Sequence, residues 1–182
     1  MKLISASLTT RQIIESVQRV RAGQPPIKDV TRRLGWQHLQ PGELLQVCRK
    51  VMGRRKGEPL EKLAVIRVVS VRREPLDRML HGCVQCTCKT PDCIFIHRGG
   101  PAFNGHQHGR CLVDYGYNEV CREGFSDDPL IQGSPAAFVE FFCATHKGCT
   151  PDTIITRIEF DYPLDTQQEC DLCHEFFYPR HL

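Results

Sequence analysis

Residues 63–72 read LAVIRVVSVR, the longest β signal in the chain. Val and Ile are stiff at χ1 and suit a pleated backbone, so a strand is predicted there. Working outward, residues 43–48, ELLQVC, follow the Pro41-Gly42 turn and read as a second strand. Residues 2–8, KLISASL, and 153–162, TIITRIEFDY, read as an opening and a closing strand. Residues 10–22 read as a helix with Ile13, Val17 and Val20 on one face and Ile14 beside them. Thr9 or Thr10 can cap its start, and Gly23 followed by Pro25 and Pro26 ends it. A second helix is predicted over 134–147, with Ser134 at the N-cap, Pro135 in the first turn, and Phe138 and Phe142 one turn apart. Residues 27–34, IKDVTRRL, are extended or loop-like. The order β-α-β-β-insert-α-β predicts an α+β fold, a small mixed β-barrel with flanking helices, better than a doubly wound sheet.

The chain has 182 residues, 41% apolar and 25% charged, enough for one domain with an elaboration. No apolar run approaches the ~18 residues of a membrane span. The stretch MKLISASLTTRQ has neither a long apolar segment nor a cleavage site of small residues, so a cytoplasmic protein is expected. The net charge of +3 hides an asymmetry. Residues 1–80 hold 17 Lys and Arg against 7 Asp and Glu, and residues 81–182 hold 7 against 14. A basic half points to a positive surface, for which nucleic acid is the usual partner, or to charges that pair with the acidic half.

Eleven cysteines are many for this length, and five lie at 83, 86, 88, 93 and 111. His81, His97, His106 and His108 share that stretch. In a reducing compartment such clustering reads as zinc and not as disulfides. Cys83 and Cys86 form one C-x-x-C knuckle, and Cys170 and Cys173 form another near the C-terminus. Together they suit a four-thiolate structural site. Cys93 and His97, with Cys88 and one of His106, His108 or Cys111, suit a second. Cys143, His146 and Cys149 offer a further Cys/His set, whereas Cys48 and Cys121 read as packing residues. The organisation expected is a body over 1–80 and 115–162, a zinc-stabilised insert over 81–114, and a tail over 163–182.

Lys28-x-x-Thr31-x-Arg33, then Pro41-Gly42-Glu43-Leu44-Leu45, the long Val/Ile strand and Glu123-Gly124-Phe125 together resemble the ASCH domain of the PUA-like superfamily. The likeness is closer to small ASCH-like proteins of bacteriophages and prophages, which would place the chain in a host cytoplasm. It covers roughly 1–80 and 115–162. The resemblance implies a five- or six-stranded barrel whose cleft takes RNA or a modified nucleoside. One ASCH family member is an amidohydrolase that deacetylates acetylcytidine with a Lys, a Thr and a distant Glu. By motif these fall on Lys28, Thr31 and Glu123. Other ASCH proteins are similar to metal-dependent ribonucleases. Ile27 departs from the Gly or Arg that many ASCH motifs carry before the Lys.

The same residues carry either chemistry. A Thr hydroxyl needs a base to become a nucleophile, and a Lys is that base only when burial or neighbouring cations lower its pKa. A Glu can protonate the leaving amine. In the binding reading, Lys28, Arg32 and Arg33 contact phosphate, and Arg54, Arg55 and Lys56 of the basic 49–56 loop follow a phosphate backbone. Trp36, the only tryptophan, is then a candidate base-stacking platform, or else a core residue. A third reading is a phage protein–protein interaction module acting through the insert.

Overall fold

The computed structural model describes residues 1–80 and 115–164. The fold is α+β, with five strands in one curled, half-barrel sheet and three helices among the described residues. The elements are β1 (Lys2–Ser5), α1 (Thr10–Arg21), β2 (Val30–Arg33), β3 (Leu44–Cys48), β4 (Lys62–Pro75), a 3₁₀ turn (Leu76–Leu80), α2 (Tyr115–Arg122), α3 (Pro135–Thr145) and β5 (Ile154–Asp161). The sheet order is β1-β3-β4-β5-β2. β1 runs parallel to β3, with Lys2 opposite Leu45. β3 runs antiparallel to β4, with Leu45 opposite Ile66 and a register shift between Val47 and Cys48. The long apolar run is thus a central strand, and it extends beyond the predicted 63–72 to Pro75.

The described residues fall into two compact units, 1–72 with 157–164, and 73–80 with 115–156. The first is built on Ile4, Ile13, Val17, Leu45, Val47, Ile66, Val68, Ile158 and Phe160. Helix α1 reaches that core with the predicted face: Ile13 and Val17 are buried, and Ile14 and Val20 pack at its margin. Thr9 holds the N-cap position without a side-chain capping bond, while the Thr10 hydroxyl donates to the Ala6 carbonyl at 2.9 Å. At the other end Gly23 adopts φ +72°, and the Gly23 and Gln24 amides donate to Val20 and Arg19. That paired closure needs a left-handed residue, which glycine adopts freely.

The second unit packs Leu76, Met79, Val120, Phe125, Ile131, Phe138, Val139, Phe142 and Ile155. Ser134 caps α3 as expected: its hydroxyl accepts from the Ala137 amide at 3.3 Å, and Pro135 follows in the first turn. Helix α2 was not expected. Its Gly116 lies so close to the Met79 carbonyl and the Pro135 ring that a methyl group there would overlap both. No helix among the described residues is long and apolar enough to cross a membrane.

Candidate functional site

β2 carries Thr31, Arg32 and Arg33. Successive strand residues point to opposite faces, so the burial of both Thr31 and Arg32 means that both faces of β2 are covered. Lys28 lies two residues before the strand and is only 2% exposed. Its ammonium curls back to donate to the Val30 carbonyl at 2.8 Å. Arg157 on β5 is 3% exposed and donates to Glu159 at 3.1 Å, and Ser70 donates to the same carboxylate oxygen at 3.0 Å. The first unit therefore buries three basic side chains, Lys28, Arg32 and Arg157, and also buries Thr31. Sequence reasoning missed Arg157, because TIITRIEFDY reads simply as a strand. The available signal was a charge set inside an apolar run.

The backbone of Lys28 is held on both sides. Its amide donates to the Ser16 hydroxyl at 3.0 Å, and its carbonyl accepts from the Tyr162 hydroxyl at 2.9 Å. Ser16 in turn donates to the Tyr162 oxygen. The three bonds form a closed ring joining α1, the segment before β2 and the end of β5, with Ser16, Lys28 and Tyr162 all buried. Burial also pushes the Tyr162 phenol well above the usual tyrosine range.

Glu123 belongs to the second unit and is 3% exposed. Glu123-Gly124-Phe125 closes helix α2. The Gly124 amide donates to Cys121, the Phe125 amide donates to Val120, and Gly124 adopts φ +85°. Glu119, one turn earlier, is also buried and lies 3.5 Å from Arg122. In the same unit the Tyr115 hydroxyl bonds to both carboxylate oxygens of Glu74, at 3.2 and 3.0 Å.

The 49–56 segment is exposed, with Arg54 folding the loop onto itself by donating to the Val51 and Glu58 carbonyls. The Arg55 amide donates to the Glu58 carboxylate at 2.7 Å, and Lys56 is exposed. Arg33 is half-buried and donates to the Ser5 carbonyl. Trp36 is half-buried against the first core, at φ 59°.

The candidate zinc ligands Cys83, Cys86, Cys93, His97, Cys170 and Cys173 all lie outside the described residues. Among the described residues no three Cys, His, Asp or Glu side chains converge as a metal site. Cys143, His146 and Cys149 accordingly do not form the Cys/His set that their spacing suggested. The His146 ring stacks on Phe142 at 4.1 Å, and its Nδ1 lies 2.9 Å from the Phe142 carbonyl. Cys48 is fully buried, as a packing residue should be, and burial raises its pKa. Comparison with protein-family models, curated proteins and solved structures finds no match to the chain.

Proposed function

We propose that this chain is a PUA-like, ASCH-type protein that binds RNA or a modified nucleoside. The observation that carries the reading is the burial of Lys28, Arg32 and Arg157 in a single small unit. Burying a cation is expensive, on the order of several kcal/mol, unless an anion or hydrogen-bond acceptors compensate. Here the Val30 carbonyl compensates Lys28 and the Glu159 carboxylate compensates Arg157, and buried charge of this kind concentrates at functional sites. The exposed Arg54, Arg55 and Lys56 supply a separate, solvated basic segment suited to a phosphate backbone. The test is fluorescence anisotropy with a labelled single-stranded RNA across a salt series. Affinity should fall linearly in log salt, and the joint Arg54→Ala, Arg55→Ala, Lys56→Ala variant should flatten the slope by about 2, at ~0.7 for each phosphate no longer neutralised. Absence of binding at low salt by the folded wild type would refute the RNA arm.

A second reading, amide hydrolysis of an acylated nucleoside, draws on the burial of Lys28. Desolvation is the condition under which a lysine can serve as a base toward a threonine such as Thr31. Incubation with acetylcytidine followed by chromatography tests it, with Lys28→Ala and Glu123→Ala as separate controls. Product from the wild type alone supports hydrolysis. Zinc on the Cys83/Cys86 and Cys170/Cys173 knuckles is part of the proposal on the strength of their spacing. Elemental analysis of the purified chain, with Cys83→Ser and Cys170→Ser beside it, tests that assignment.

A further inference from the structure

The last turn of α3 and the chain beyond it bring two thiols together. The His146 amide donates to the Cys143 carbonyl, and the Cys149 amide donates to the His146 carbonyl at 3.0 Å. Two successive four-residue turns thus fold the chain back, and the Cys143 and Cys149 sulfurs lie 3.8 Å apart. The surrounding carbonyls hold this arrangement. The Thr145 hydroxyl donates to Phe141 at 2.9 Å, and the His146 ring engages Phe142. The Thr150 amide donates to the Thr153 hydroxyl at 2.8 Å, which orders the turn leading into β5. Both cysteines are partly exposed, whereas Cys48 is sealed in the first core.

We propose that Cys143 and Cys149 are a dithiol that a low-molecular-weight disulfide, such as oxidised glutathione, converts into a protein disulfide. The sulfurs are at van der Waals separation, and forming a bond of ~2.05 Å asks for side-chain rotation and not for a new backbone path. Cys143 directs its S–H toward the Cys149 sulfur, and Cys149 directs its own toward the Thr150 carbonyl. Burial and the neighbouring Cys149 push the Cys143 thiol up to about 11, so Cys143 is the resolving partner.

In the first step the Cys149 thiolate attacks one sulfur of oxidised glutathione and expels one glutathione thiolate. In the second, Cys143 loses its proton and attacks the Cys149 sulfur, and the second glutathione departs as its thiolate. Two protein thiols are oxidised, one glutathione disulfide is reduced to two thiols, and two hydrogens leave the protein. The product ties the end of α3 to the turn before β5. It is independent of the nucleoside reading.

The chain offers a direct test. Lys147 lies between the two cysteines, so trypsin separates them into residues 123–147 and 148–157, each with a single cysteine. The folded full-length protein is treated with oxidised glutathione, alkylated, digested and read by mass spectrometry. The expected result is one joined pair of peptides, lighter by two hydrogens than their sum. Cys143→Ser should instead carry glutathione on Cys149, and Cys149→Ser should leave Cys143 open to alkylation. Wild-type peptides recovered only as separately alkylated or glutathionylated species, or joined to any other cysteine, would overturn the proposal. So would a Cys143→Ser variant that folds and takes no glutathione at Cys149.

Discussion

Replacing Tyr162 by Phe removes one oxygen and opens the buried ring around Lys28. Two bonds go with it, the donation to the Lys28 carbonyl at 2.9 Å and the acceptance from Ser16. A buried hydrogen bond contributes about 1 kcal/mol net, and more when a group is stranded, so a loss of about 2–4 kcal/mol is expected. Ser16→Ala also removes two bonds, to the Lys28 amide and to Tyr162, and should cost a similar amount. The Ser16–Tyr162 bond is common to both changes. The double variant should therefore cost less than the sum of the singles by about 1 kcal/mol. Urea unfolding followed by tryptophan fluorescence reads the effect where it occurs, because Trp36 packs on the first core. At a slope of about 2 kcal/mol per molar, the midpoint of Tyr162→Phe should fall by about 1–2 M. A loss under about 0.5 kcal/mol, or strict additivity in the double variant, would show that the three groups do not act as a closed ring.

Burial raises the Tyr162 pKa above its unfolded value of about 10. Its contribution is fully present below that pH and is lost above it, as the unfolded chain releases a proton that the folded chain retains. Midpoints measured from about pH 9 to about pH 11 should decline in the wild type, with a smaller decline in Tyr162→Phe. In the second unit, Gly116→Ala should cost about 3 kcal/mol or more, since the added methyl meets the Met79 carbonyl and the Pro135 ring. Thermal unfolding or loss of soluble yield reports it. Ser134→Ala should lower stability by about 1 kcal/mol by releasing the Ala137 amide, and Ser134→Asp should restore most of it in the same melt.

Elements with a strong period or a side-chain marker could be read from sequence. The Val/Ile run became central strand β4, and Ser134-Pro135 became the start of α3. β2 was seen only as extended or loop-like, because Val30-Thr31-Arg32-Arg33 puts cations where a buried strand ordinarily carries apolar residues. α2 escaped because it is short and contains Gly116 and Asn118, both poor helix formers. Tertiary packing at Gly116 decides that helix, and packing is not a local property. The candidate site was legible as residue types but not as an environment. Lys28, Arg32 and Glu123 belong to types that usually face water, and only the packed structure reveals that each is 3% exposed or less.

The order β1-β3-β4-β5-β2 also bears on how the molecule is made. Among the described residues β2 lies at one edge, and its sheet neighbour there, β5, follows it in sequence only after residues 34–153. Tyr162, which closes the ring on Lys28, emerges just after it. During synthesis the cationic β2 segment must wait, without that hydrogen-bonding neighbour, while the residues between them are translated at ~5–20 residues per second. Its run of Arg32 and Arg33 then acts as a gatekeeper, since like charges discourage two waiting nascent chains from pairing at that edge.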